Sequence, residues 1–136
     1  MIVPIYNEES TIESLQKQLI PLLDKCEILF VDGGSKDRTL SMIDSRFRVL
    51  HSEKGRANQM NLGAKESSGD ILLFLHSDSE LPKHPLAEIR YVMKDHLAGC
   101  FGIAFHSKHF LCGRAVSFPI TGSKTARSCL EIRESS

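Results

Sequence analysis

Apolar residues along this chain recur in two rhythms. Short uninterrupted runs over residues 27–31 and 71–75 fit strands buried on both faces, and residues 1–4 read as the end of a further strand. Between the first two strands, Ile12, Leu15, Leu19 and Leu22 follow helical spacing. The preceding Ser10-Thr11-Ile12-Glu13 has the form of a capping box, and Pro21 bends or ends the helix. Ser35 is placed to cap a second helix carrying Leu40 and Ile43, and residues 47–50 form a short strand. Gly55 opens a helix on which Ala57, Met60 and Ala64 share a face, closed by Ser67-Ser68-Gly69. Pro85 starts another, with Leu86, Ile89 and Met93 on one side; residues 100–105 then alternate, with Phe101, Ile103 and Phe105 on one face. Strands alternating with helices predict an α/β fold, a mostly parallel sheet covered on both sides.

Composition narrows the picture. A length of 136 residues suits one domain with its own core, and 41% apolar with 25% charged residues is ordinary for a globular chain. The formal net charge of zero gives no footing for nucleic acid as a partner. The charge is uneven, with twelve Lys and Arg against fifteen Asp and Glu in residues 1–106, and five against two in residues 107–136. Cys26, Cys100, Cys112 and Cys129 form no C-x-x-C pair, so a zinc knuckle or redox motif is excluded, and Cys26 and Cys100 read as small core residues. No apolar run is long enough to cross a membrane and no signal peptide is seen, so a cytoplasmic location is expected.

In open parallel sheets, ligands bind beyond the carboxyl ends of the strands. Polar clusters stand at three such places: Pro4-Ile5-Tyr6-Asn7-Glu8-Glu9, Asp32-Gly33-Gly34-Ser35-Lys36-Asp37 and His76-Ser77-Asp78-Ser79. Each alone could be a helix start, a tight turn or a solvated loop; together they would converge on one crevice. Lys54-Gly55-Arg56-Ala57-Asn58-Gln59 adds two cations at a glycine-opened helix start, a setting suited to phosphate. Neither G-x-x-x-x-G-K-[ST] nor a G-x-G-x-x-G after the first strand is present, which disfavours a P-loop enzyme and a dinucleotide-binding domain. Asp78, at the end of the most apolar strand, is placed to hold Mg²⁺ or Mn²⁺, which take one or two carboxylates and complete their shell with phosphate oxygens and water.

These ordered motifs resemble family 2 glycosyltransferases of GT-A fold over about residues 1–106. Leu75-His76-Ser77-Asp78-Ser79 is similar to the L-H-[AS]-D-[ST] element of a bacterial subgroup of that family. The resemblance implies a nucleotide-sugar-binding domain over residues 1–106 that moves a sugar from a nucleoside-diphosphate sugar, expected to be a UDP-sugar, to an unidentified acceptor with inversion. It places Pro4, Tyr6 and Glu8 around base and ribose, Asp32 on the base, and Arg56 near base or diphosphate. Ser77 belongs to the same nucleotide site. Asp78 would be the metal ligand of the family's D-x-D element. Its first position is His76 here, which leaves one carboxylate and a histidine that could bond the ribose or the sugar. A nucleotidyltransferase, the same architecture with another chemistry, would begin with a glycine-rich basic loop where this chain has Tyr6-Asn7-Glu8-Glu9.

No stretch after His106 matches the family, and residues 118–129 lack sustained helix or strand periodicity. Residues 107–136 are therefore expected to form a divergent or truncated tail of the same domain, leaving the acceptor side incomplete and the general base unassigned. The alternative reading is a nucleotide-binding fragment without turnover. Peripheral membrane association and a homodimer through a sheet edge left uncovered near residues 101–105 are compatible with either.

Overall fold

The structure is a computed structural model that describes residues 1–95, 98–100 and 128–132. In chain order the elements are β1 (Ile2–Ile5), α1 (Ile12–Leu19), β2 (Leu29–Asp32), β3 (Arg48–His51), α2 (Arg56–Glu66), β4 (Ile71–Leu75), α3 (Pro85–Val92), β5 (Ala98–Cys100) and β6 (Ser128–Ile132). The strands form one sheet in the order β3-β2-β1-β4-β6-β5. The first four are parallel, whereas β6 runs antiparallel to both β4 and β5.

Both faces of β1, β2 and β4 are covered, which is why they read as apolar runs rather than as alternating patterns. On one face, Val3, Ile5, Phe30, Leu73 and Leu75 pack with Ile12, Leu15 and Leu19 of α1 and Ile89 of α3. Phe47 joins them, its ring meeting that of Phe30 edge-on at 5.1 Å. On the other face, Ile2, Val31, Leu72 and Phe74 pack with Met60, Leu62 and Ala64 around α2. Cys26 sits half-buried against the first cluster, with its Sγ 3.6 Å from the Leu22 carbonyl; burial pushes its thiol up, as suits a core residue.

The chain order turns at β1. Strands β2 and β3 lie on one side of it and β4 on the other, so β1 and β4 flank a topological switch point. Pro4 sharpens that opening. It has no N–H to give a ladder, and β1 pairs with β4 only at Ile2↔Phe74, whereas four residues of β1 pair with β2.

Several local expectations differ from the structure. The capping box of Ser10 and Glu13 does not form: Thr11, not Ser10, stands at the cap and its hydroxyl donates to the Glu8 carboxylate at 2.7 Å, while Glu13 pairs forward with Lys17 at 2.8 Å. The second helix is reduced to a single tight turn, Leu40–Met42, because the Ser35 hydroxyl is taken by Asp32 at 2.5 Å rather than capping. On α2 the buried positions are Gln59 and Gly63, and Ala57 is exposed. Residues 128–132 form a strand although the sequence around them shows little periodicity; β6 pairs along the flank of β4 that does not face β1. Residues 101–105 and their proposed dimer edge lie outside the described residues.

Candidate functional site

Two loops at the carboxyl ends of β1 and β2 are stitched together by short hydrogen bonds. Asn7, held in the left-handed region at φ 53°, donates its backbone N–H to Ser35 Oγ at 2.9 Å and accepts from Lys36 N through its own Oδ1 at 2.8 Å. The Glu8 N–H donates to Thr39 Oγ1 at 2.7 Å, and the Glu9 N–H to Asp37 Oδ2 at 3.2 Å. Arg38 closes the zipper through Nε to Glu9 Oε1 at 2.8 Å, with a second guanidinium contact to the same oxygen. Thr39 is fully buried at the centre, its hydroxyl donating to Asp37 Oδ1 at 2.5 Å.

Asp32 organises the second loop from inside. It is 1% exposed, and its carboxylate accepts from Gly34 N at 3.0 Å, Ser35 N at 3.1 Å and Ser35 Oγ at 2.5 Å. His51, at the end of β3, places Nδ1 3.7 Å from the same group. The carboxylate expected on the base thus also binds its own turn and shapes the loop beside the crevice.

Helix α2 brings the cations. Gly55, at φ 134°, makes a turn that an L side chain rarely adopts, and the helix starts at Arg56. The first backbone N–H groups of α2 and its dipole join Lys54 and Arg56 at this end. Lys54 Nζ stands 4.5 Å from the centre of the Tyr6 ring, so the two expected residues meet by a cation–π contact. Arg56 reaches across to the end of β4 and lies 2.8 Å from His76 Nδ1. His76 and Ser77 are half-buried in a turn closed by Ser79 N on the His76 carbonyl at 3.1 Å, and Asp78 is exposed on it.

Gln59 and Thr39 are the residues that sequence reasoning missed. Gln59 lies 5% exposed beneath the crevice, and its Nε2 donates to the carbonyls of Ile5 at 2.6 Å and Val31 at 2.8 Å. Its signal was a polar residue at a position where α2 meets the sheet, which a count of apolar spacing passes over.

Tyr6, Glu8, Asp32, Arg56 and His76 are thus gathered on the carboxyl side of β1, β2 and β4, in an open crevice. A half-open cavity of about 220 Å³ lies elsewhere, between Met1, Cys26, Ile71, Leu86 and Arg90 at the amino ends of β1 and β4. Its lining is mostly apolar, and none of the polar strand-end clusters reaches it. Among the described residues no group of three or more His, Cys, Asp or Glu could enclose a metal ion, and no helix is long and apolar enough to cross a membrane.

The family model for glycosyl transferase family 2 matches residues 1–110. The chain belongs to this family. An uncharacterized glycosyltransferase, YkcC of Bacillus subtilis, is 28% identical over 101 residues, which make up 65% of this chain and 31% of that protein. Among solved structures, the mannosyltransferase of Pyrobaculum calidifontis in complex with GDP-Man and Mn²⁺ superposes with a TM-score of 0.62 at 25% identity, covering 76% of this chain and 34% of that one. Glucosyl-3-phosphoglycerate synthase of Mycobacterium tuberculosis, solved with Mn²⁺, UDP and glucosyl-3-phosphoglycerate, gives 0.52 at 33% identity, covering 68% and 37%. The family 2 domain seen here has their α/β GT-A fold. It spans about a third of the length of these relatives.

Proposed function

We propose that this chain forms the nucleotide-sugar-binding part of a glycosyltransferase that takes a nucleoside-diphosphate sugar, a UDP-sugar first among them, and transfers the sugar with inversion. The observation that carries this reading is the meeting, at the β1–β4 switch point, of the β1 and β2 loops with the cationic start of α2. Tyr6 and Glu8, with Pro4 behind them, would face base and ribose. Lys54 and Arg56 with the α2 N-terminus would take the diphosphate. His76 and Ser77 would bond ribose or sugar hydroxyls. The two solved relatives named above hold GDP-Man and UDP respectively, each with Mn²⁺, which supports a nucleotide and a divalent cation and leaves the base to experiment.

The residues present fit such a cation in one way. Asp78 is an exposed carboxylate two residues beyond His76, which Arg56 meets, and a hard divalent ion can take one carboxylate and fill its shell from phosphate and water. Once bound, the ion would supply charge stabilisation to the departing diphosphate. The protein's own groups would hold and orient the donor: the α2 N-terminus by its oriented N–H groups, the stitched loops by their rigidity. In the transfer, the acceptor oxygen forms a bond to the anomeric carbon as the bond from that carbon to the diphosphate oxygen breaks, and the acceptor's proton passes to a base.

The test is thermal unfolding with UDP and GDP, each with and without Mn²⁺. A nucleotide at one hundred times its dissociation constant should add about 2.7 kcal/mol of stability. Unchanged melting with both nucleotides in the presence of metal would overturn the reading.

A further inference from the structure

We propose that Gln59 is a positioning residue, a clamp that sets the spacing between the two loops of the nucleotide site. Its carboxamide lies where three elements meet. Nε2 carries two hydrogens, and each has a backbone carbonyl in front of it: Ile5 O at 2.6 Å, the last residue of β1, and Val31 O at 2.8 Å, the penultimate residue of β2. Two carbonyls require two donors, so the orientation of the amide is fixed by chemistry. The Ile5 carbonyl also accepts from Gly33 N at 3.0 Å, so one oxygen ties β1 to the β2 loop and to α2 at once.

The surroundings are shaped for this side chain. A Cβ on Gly33 would stand 3.1 Å from the Gln59 carboxamide, tighter than ordinary contact, so the glycine leaves the space the amide fills. The helix carrying Gln59 is itself pressed to the sheet, since a Cβ on Gly63 would stand 2.4 Å from Ile2 Cγ2. Gln59 lies one helical turn beyond Arg56, so the clamp also fixes the height of the α2 N-terminus over the crevice. A buried amide with both N–H donors bonded is a specifying contact, because losing it removes two hydrogen bonds inside the fold, one to Val31 O and one of the two that Ile5 O accepts.

The proposal rests on the nucleotide reading for its consequence but not for its geometry, and the experiment separates the two. Gln59→Met keeps length and removes both donors; Gly33→Ala crowds the amide and leaves the sequence of α2 unaltered. Backbone hydrogen exchange and UDP affinity with Mn²⁺ are measured for both variants and the unaltered protein. The expected result is exchange faster by about tenfold or more at Asn7, Glu8, Gly33 and Ser35, with Ile2 and Leu29 unchanged. The UDP dissociation constant should rise by a similar factor in both variants, and Gln59→Asn should not rescue it because the shorter side chain cannot reach both carbonyls. Exchange that is unaltered at the loops, or raised uniformly through the sheet, would overturn the clamp. If the unaltered protein binds neither UDP nor GDP, the nucleotide reading fails, while the exchange pattern still decides the role of Gln59.

Discussion

Asp32 is the last residue of β2 and Asp78 lies three residues beyond the end of β4, and the surroundings of the two carboxylates differ. Asp32 is sealed in, with two backbone N–H groups and a hydroxyl bonded to it. Asp78 is exposed, two residues beyond the histidine that Arg56 meets. Sequence spacing located both but could not tell an inward carboxylate from an outward one, because that depends on which way a glycine-rich turn curls. Asp78→Asn keeps shape and removes charge. It should leave the unfolding free energy within about 0.5 kcal/mol of the unaltered protein, as surface changes do, and abolish the Mn²⁺ dependence of nucleotide binding measured by calorimetry. Metal-dependent affinity that survives the substitution would remove Asp78 from the cation's shell.

Elements were legible to the extent that apolar periodicity governed them. The strand at residues 71–75 falls where its apolar run lies, and α1 uses Ile12, Leu15 and Leu19 as spaced. What periodicity hid was packing by small and polar residues. Gly63 faces the sheet because anything larger would strike Ile2 and Val31. Gly63→Ala sets two effects against each other: a helix-propensity gain of up to about 1 kcal/mol and an overpacking cost of about 1–3 kcal/mol. With the added methyl 2.4 Å from Ile2 Cγ2, overpacking should win, and urea unfolding should show a net loss.

The loop zipper makes a different prediction. The Arg38 guanidinium holds the Glu9 carboxyl below its usual range, and the Thr39 hydroxyl does the same for Asp37. Asp44 is held down to about 2 by Arg46. A carboxyl depressed in the folded state adds stability above its unfolded value, near pH 4, and loses it as pH falls through the folded value. Stability should therefore decline between about pH 4.5 and pH 2, and the double variant Glu9→Gln, Asp37→Asn should flatten the upper part of that decline in urea titrations at stepped pH. An unchanged slope would show that the zipper has no linkage to protons.

At the scale of the molecule, the parallel α/β architecture and the convergence of its strand ends follow from alternating elements and the rule for open sheets. The strand order across β1 and the antiparallel β6 do not, because pairing partners distant in sequence leave no local trace. Helices on the two faces divide the core: α1 and α3 cover one side, α2 the other, and Arg56 at the amino end of α2 reaches His76 beyond the end of β4. The crevice is thus a property of the arrangement, built where no single segment is unusual.

The place of β6 has a consequence in time. Strand β4, which carries His76 and Asp78 at its end, finds β1 along one flank at Ile2↔Phe74 but waits along the other for residues that follow much later in the chain, Ser128–Ile132. At synthesis rates of about 5–20 residues per second, several seconds separate the emergence of β4 from that of its partner. Through that interval a five-residue apolar strand with an unpaired flank is exposed to whatever is nearby. Among the described strands, the flank of β4 is therefore the part of the sheet completed last, and nascent chains should be most open to chaperone capture at β4.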